Sequence, residues 1–222
     1  MKGAWQWCLR IGLLFLPLGL GAVAVLHLID GIALDAAFPV PVYIQMDSPV
    51  PRAVYERAAK ALERGEARDG ERAVFEAEAL ENAGEPRSRV MPILREGLEY
   101  SPASARGWAL LSELLMPVDR RQAANALSIS LTLAPSDYYL VDRQVRDAGE
   151  LWDVLPADAR QVAINAAPIL WTLPELREQI RPVLRTPGGA ELMSKAFRFA
   201  PEQLRELNRW VVQQRLDEET SK

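Results

Sequence analysis

The segment that decides the fold of this chain runs from Leu94 to Pro135 and reads LREGLEYSPASARGWALLSELLMPVDRRQAANALSISLTLAP. Two leucines and a proline in its first part recur 33 positions later. A period of that length is typical of helix-turn-helix repeats, in which each unit buries its apolar face by stacking on its neighbours. The recurring pairs are Leu94 with Leu127, Leu98 with Leu131, and Pro102 with Pro135.

The stretch from Ala105 to Pro135 resembles a tetratricopeptide repeat. Trp108 and Leu111 lie three residues apart, as in the first helix of that family, and Ala124 follows Trp108 by sixteen residues. The resemblance implies stacked helix pairs whose concave face binds peptides or other protein segments. It does not identify the ligand, because function depends on the surface residues that a scaffold carries.

The chain also departs from the family pattern. Ser112 replaces the small glycine-type residue, Leu115 replaces the usual tyrosine, and Pro135 closes the second helix one position early. A preceding partial unit has its second helix at Val90 to Tyr100 and carries the matching Pro102. After residue 136 no period is visible, so we expect irregular C-terminal helices beside a tetratricopeptide-like α-solenoid.

Prolines, glycines and apolar spacing predict helices along the whole domain. No stretch shows the sustained alternation of a strand, so the predicted fold class is all-α. The quartet from Thr172 to Glu175 matches a capping box at a helix start. The predicted helices cover Arg52 to Arg64, Glu71 to Asn82, Ser88 to Tyr100, Ala103 to Met116 after Pro102, Arg120 to Ala134 after Asp119, Asp137 to Leu151, Ala157 to Leu170, Pro174 to Leu184, Gly189 to Phe199 and Pro201 to Leu216.

Four tryptophans lie in the predicted domain. Trp108 and Trp210 fall on apolar helical stripes, which predicts core packing for both. Trp152 and Trp171 lie near predicted helix ends, and we expect these two to be partly exposed.

An uncharged apolar run from Ile11 to Ile29 precedes the helical domain, with Lys2 and Arg10 before it and Asp30 and Asp35 after it. Its length suits a helix that crosses a bilayer. The basic flank predicts a cytoplasmic N-terminus and an exported, periplasmic domain of a single-pass inner-membrane protein.

A cleavable signal peptide is the competing interpretation of this run, because Ala22 and Ala24 give a small-x-small pattern after a leucine-rich stretch. The apolar character continues past that site, which makes the run long for a signal peptide. The predicted organisation is residues 1–30 as cytoplasmic N-terminus and transmembrane helix, 31–51 as a proline-rich linker, 52–216 as the helical domain, and 217–222 as a polar tail.

Composition excludes several functional classes. The net charge is −4 and acids alternate closely with bases, so no basic patch for nucleic acid is present. The chain has one histidine, His27, and one cysteine, Cys8, both in or beside the apolar run. These counts argue against nucleophilic triads and zinc sites, and we predict no catalytic, cofactor-binding or metal-binding residue.

The combined prediction is a membrane-anchored, non-enzymatic scaffold or adaptor that docks other proteins of a bacterial cell envelope and contacts the bilayer through residues 11–29. An arginine-rich, alanine-rich composition agrees with a bacterial source. The partner-binding groove is predicted on the first helices of the repeat units. Its candidate residues are Arg106, Ser112 and Glu113, with Arg120 and Arg121 at the rim.

Two alternatives stay open at this point. A membrane-tethered enzyme acting on glycan would use a pair of carboxylates, such as Glu76 with Glu81 or Asp153 with Asp158. A structural subunit of a larger membrane complex would instead bury its apolar faces against neighbouring subunits.

Overall fold

The computed structural model describes residues 50–63 and 70–220, with side chains through Gln213. All regular structure in these ranges is helical, which confirms the all-α prediction. One further helix, Pro174–Gln179, has 3₁₀ geometry. The α-helices are α1 Arg52–Glu63, α2 Gly70–Asn82, α3 Arg87–Tyr100, α4 Ala105–Leu115, α5 Arg120–Leu133, α6 Val141–Glu150, α7 Ala157–Ala166, α8 Pro168–Thr172, α9 Ile180–Arg185, α10 Gly189–Ala196 and α11 Pro201–Thr220.

Two helix hairpins form the centre of the described region. α2 packs along α3, and α4 packs along α5, each pair being joined by a short loop. Short connections of this kind make neighbouring helices antiparallel. α1 packs on α2, α4 contacts both α2 and α3, and α6 contacts both α4 and α5, so each hairpin covers a face of its neighbour.

The turn between α2 and α3 depends on Gly84, whose φ of 75° lies in the left-handed region. The Gly84 N–H donates to the Glu81 carbonyl at 2.8 Å, and the Glu85 N–H donates to the Leu80 carbonyl at 3.0 Å. This pairing satisfies carbonyls that a helix end otherwise leaves free. Gly84 therefore ends α2, as its sequence position predicts.

Gly70 begins α2 where the helix crosses α3 closely. A methyl group on Gly70 would lie 2.5 Å from the Gly97 carbonyl oxygen and 2.5 Å from the Ser101 backbone nitrogen. Backbone atoms cannot move away as a flexible side chain can, so the two helices would have to separate.

We therefore expect Gly70→Ala to lower the free energy of unfolding by about 1–3 kcal/mol. Helix propensity alone predicts the opposite sign, since alanine is about 1 kcal/mol better than glycine in a helix. Urea unfolding of the full-length protein in detergent measures the difference. Ser88→Ala, at an exposed position of α3, is the control, and a Gly70→Ala variant as stable as the control would contradict the close approach.

The apolar core has two parts. One cluster is built by α1 to α4, and a second is built by α5 to α11. The repeating leucines supply both, since Leu94 and Leu98 belong to the first cluster and Leu127 and Leu131 to the second. Three of these four side chains are fully buried, and Leu98 is 7% exposed.

The capping-box prediction for Thr172 is wrong. Thr172 is the last residue of α8, and its hydroxyl donates to the Pro168 and Ile169 carbonyls, each at 3.2 Å. The Glu175 carboxylate accepts from the Tyr138 hydroxyl at 3.3 Å. The Thr172 hydroxyl and the Glu175 carboxylate therefore do not bond to each other's backbone N–H groups. The hydroxyl instead donates to carbonyls of the helix that ends at Thr172.

The exposure predicted for two tryptophans is also wrong, since Trp152 is 7% exposed and Trp171 is 9% exposed. Trp171 packs edge-on against Trp210 with ring centroids 6.2 Å apart. Trp108 and Trp210 are partly buried against the two clusters, as their apolar stripes predict. Trp152 and Trp171 lie near helix ends, but both are packed in the second apolar cluster with residues from later in the chain, which local spacing does not reveal.

Several C-terminal helix bounds differ from prediction. α6 starts at Val141 instead of Asp137, because the Asp137 carboxylate accepts from the Tyr139 N–H at 2.7 Å and holds a turn. The helix predicted over 157–170 is divided before Pro168, which lacks an N–H to continue it. α11 extends to Thr220, beyond the predicted start of the polar tail.

The predicted anchor at 11–29, the cleavage site near Ala24 and residues 31–49 of the linker lie outside the described residues. Among the helices that are described, none combines the length and the apolarity needed to cross a bilayer.

Candidate functional site

A charged cavity of about 160 Å³ lies along α2, α4 and the start of α6. These are the first helices of the two hairpins and the helix that follows them. The Tyr139 side chain forms part of the wall and is 51% exposed. The ionisable lining residues are Glu78, Glu81, Glu113, Asp142, Arg106, Arg143 and Arg146.

Arg143 is the centre of an ion-pair network at the base of the cavity. Its Nη1 donates to Glu78 Oε1 at 3.1 Å, and its Nε donates to Glu113 Oε2 at 2.8 Å. Its Nη2 also contacts Glu113 Oε2. The Arg143 side chain is only 15% exposed and that of Glu78 only 7%. One guanidinium thus ties together α2, α4 and α6.

The network repeats along the chain. Glu78 and Glu113 are each the ninth residue of their helix, α2 and α4, and lie 35 positions apart. Each pairs with an arginine near the start of the helix stacked next to it. Arg106 Nη1, in α4, lies 2.9 Å from Glu78 Oε2 in α2. Arg143, in α6, pairs with Glu113 in α4. The ion pairs therefore follow the stacking of the helices.

The network separates the pKa values of its members. Burial raises the pKa of Glu113, but the positive charges of Arg143 and Arg146 outweigh burial and hold it below its ordinary value. Burial lowers the pKa of Arg143, and Glu113, Glu78 and Asp147 together hold it above its ordinary value. Both groups therefore stay charged at neutral pH.

Glu81 differs from the other carboxylates of the cavity. No cation among the described residues lies within ion-pair distance of it. Burial, followed by the negative charge of Glu113, raises its pKa above the ordinary range. A positive group entering the cavity would relieve this repulsion, because an opposite charge favours the ionised carboxylate.

A buried polar seam lies beneath the cavity, between α4, α5 and α6. Gln144 Nε2 donates to Ser130 Oγ at 2.9 Å, and Ser130 Oγ donates to the Ala105 carbonyl at 2.8 Å. Ser112 is fully buried, and its hydroxyl has no hydrogen-bond partner in the described part of the chain. Asp147 Oδ2 is likewise buried without a partner there.

The five predicted binding residues separate into three environments. Arg106 and Glu113 line the cavity together, whereas Ser112 lies in the core beneath it. Arg120 donates to Asp153 at 2.6 Å and to the Glu150 carbonyl at 2.9 Å, so it joins the start of α5 to the end of α6. Arg121 is exposed at the start of α5.

Sequence reasoning missed the residues that organise the cavity, namely Glu78 and Arg143. The 35-residue spacing of Glu78 and Glu113 was a usable signal, because equivalent positions of stacked repeats meet similar neighbours. Arg143 carried no such signal, since it lies in the region where the period is no longer visible.

In neither carboxylate pair considered for glycan chemistry do both members line one of the two cavities. The charged groups that act on the pKa of Glu76 differ from those that act on the pKa of Glu81, so the two carboxylates face different sides of α2. The groups near Glu76 are Glu63, Arg72, Arg89 and Glu96, and those near Glu81 are Glu113, Arg143, Glu78 and Arg146. Asp153 pairs with Arg120 on the surface, and Asp158 accepts from the Ala159 N–H at 2.9 Å.

Comparison with protein-family models, with curated proteins and with solved structures finds no match for this chain. Within the described residues, no group of three or more His, Cys, Asp or Glu side chains is placed to hold a metal ion.

Proposed function

We propose that this protein is a non-enzymatic docking scaffold whose cavity along α2, α4 and α6 receives a basic side chain of a partner protein. The observation that carries the proposal is that Glu81 has no ion-pair partner among the described residues, whereas the neighbouring Glu78 and Glu113 both pair with arginines. A cavity of about 160 Å³ suits one side chain, whereas pockets for small-molecule ligands are usually about 300–1,000 Å³.

The net charge of the cavity lining favours a positively charged side chain from a partner protein. The cavity has four carboxylates and three guanidiniums, so one negative charge is in excess. Glu78 and Glu113 are already engaged by arginines, which leaves Glu81 and Asp142 to meet an incoming lysine or arginine. The exposed ring of Tyr139 supplies an adjacent aromatic contact of the kind enriched at protein interfaces.

The setting of this docking is also part of the proposal. The apolar run at residues 11–29 would anchor the chain in the inner membrane of a bacterium, with the helical domain on the periplasmic side. The partners would then be envelope or membrane proteins. A tetratricopeptide-like hairpin stack is the scaffold that the sequence supports, and the packing of α2 with α3 and of α4 with α5 agrees with helix hairpins.

A glycan-cleaving enzyme has one observation in its favour, the opposite pKa shifts of Glu81 and Glu113 in one cavity. However, Oε2 of Glu113 accepts from Arg143 at 2.8 Å, and the Arg146 guanidinium lies 3.9 Å from Oε1. A carboxylate held in this way is a poor nucleophile or base, which is why we favour the scaffold.

Site-specific photocrosslinking in the native cells tests the proposal. With p-benzoylphenylalanine in place of Tyr139, we expect one discrete protein adduct. Glu81→Gln in the same background should reduce that adduct at least tenfold, because an interfacial charge pair with a buried partner is worth about 2–5 kcal/mol.

The matched control is p-benzoylphenylalanine in place of Tyr100, which is 48% exposed at the end of α3 and outside the cavity. Equal adducts from both positions, or an adduct from Tyr139 that Glu81→Gln leaves unchanged, would exclude docking in this cavity.

A further inference from the structure

We infer that a second cavity, between α7 and α10, binds a phosphate group. This cavity has a volume of about 240 Å³ and shares no lining residue with the first. Its charged lining residues are all positive: Arg160, Lys195 and Arg198. The inference concerns a different surface and is independent of the proposed docking function.

Trp152 forms the base of this cavity and positions two of the cations. Its ring lies 5.6 Å from the Arg160 guanidinium carbon and 5.4 Å from Lys195 Nζ. The ring itself is held, because Trp152 is only 7% exposed and belongs to the second apolar cluster. Cations held over a fixed ring lose little freedom when an anion binds.

The positive charge of the cavity is only partly balanced. Lys195 pairs with Glu191 at 2.6 Å. Arg160 and Arg198 have no ion-pair partner within 4 Å among the described residues, although Glu191 interacts with Arg160 electrostatically. The Arg198 guanidinium carbon instead lies 4.3 Å from the ring centroid of the exposed Phe199. Arginines that are not held in close ion pairs and meet at a concave surface are suited to an anion.

A phosphate group fits these donors better than a carboxylate does. A phosphate monoester carries about −1.5 to −2 charges at pH 7 and has three terminal oxygens, so it can accept from three cations at once. The planar guanidiniums of Arg160 and Arg198 can each donate two hydrogen bonds to it. Gln161, whose amide donates to Asn165 at 2.9 Å, adds a polar group to the wall.

Lysine footprinting of the full-length protein in neutral detergent micelles tests this inference. The rate at which an amine-reactive ester acetylates Lys195 is measured by mass spectrometry, with Lys60 on the exposed surface of α1 as the internal reference. We expect inorganic phosphate to protect Lys195 saturably in the millimolar range and to leave Lys60 unchanged. Acetate at the same ionic strength should protect neither.

A parallel arm replaces free phosphate with micelles that contain phosphatidic acid, whose headgroup is a phosphate monoester, and micelles with phosphatidylcholine serve as its control. Protection by free phosphate assigns the cavity to a soluble phosphate ester, and protection by phosphatidic acid alone assigns it to a lipid headgroup. Either result supports a phosphate site.

The double variant Arg160→Gln with Arg198→Gln should weaken protection at least tenfold, since it removes the charged hydrogen bonds that both guanidiniums would donate to the phosphate. Arg57→Gln with Arg95→Gln changes the charge equally at exposed positions of α1 and α3 and should have no effect. Equal protection by acetate, equal protection of Lys60, no protection in either arm, or an unchanged double variant would each overturn the inference.

Discussion

Replacing Arg143 with alanine is expected to lower the free energy of unfolding by about 3–5 kcal/mol. The guanidinium pairs with Glu78 and Glu113, and the side chain of Glu78 is only 7% exposed. Removal of Arg143 leaves Glu113 without its nearest cation and Glu78 with Arg106 alone. A largely buried carboxylate that loses one of its two arginine partners is destabilised, because burial penalises its charged form.

Urea unfolding of the full-length protein in detergent, followed by tryptophan fluorescence, measures this effect, and a thermal midpoint serves where a variant is too unstable at 25 °C. Arg120→Ala is the matched control because its partner Asp153 is an exposed side chain. Surface pairs contribute about 0–1 kcal/mol. If Arg143→Ala cost no more than Arg120→Ala, the network would not hold the three helices together.

The substitution Asp147→Asn is expected to stabilise the protein at neutral pH. Asp147 is 3% exposed, and Oδ2 has no hydrogen-bond partner in the described residues. Burial raises the pKa of Asp147 from 3.8 to about 6; Arg146 and Arg143 lower it and Glu113 raises it, without reversing the effect of burial. Between about pH 4 and pH 6 the folded state therefore holds a proton that the unfolded chain has released, and at neutral pH the folded state contains a buried charge.

The sign of the pH dependence follows from this shift. Below about pH 4 the Asp147 carboxyl is neutral in both the folded and the unfolded state, so folding buries no charge there. As the pH rises through the folded pKa of about 6, the stability contributed by the neutral form is lost, to the extent of about 3 kcal/mol. Above that pH, Asp147→Asn should be more stable than the parent by about this amount.

Unfolding free energies of parent and variant between pH 4 and pH 8 measure this difference, which should widen between about pH 4 and pH 6 and then stay constant. Glu99→Gln removes a surface carboxylate of α3 and should change stability by no more than about 0.5 kcal/mol throughout. An Asp147→Asn variant whose advantage did not vary with pH would show that Asp147 is not a buried acid.

Helix ends and buried apolar positions were predicted well around the 33-residue repeat, which runs from Leu94 to Pro135. The start of α5 after Asp119 and the end of α2 at Gly84 agree with the structure, because capping residues act on backbone groups within a few positions. The repeating leucines are buried as predicted. For the candidate cavity, Arg106 and Glu113 were found because they lie on the first helices, which the repeat pattern identified.

What the sequence by itself determined is therefore local: the helical class, the helix ends at Asp119 and Gly84, and the apolar faces. The tertiary structure alone decided which distant charges meet, since Glu78 and Arg143 are 65 positions apart and pair only after three helices stack. It also decided that Trp152 is buried and that Arg160, Lys195 and Arg198 share one cavity. Periodicity reports the face on which a residue lies, whereas the neighbour on that face is set by how the helices pack.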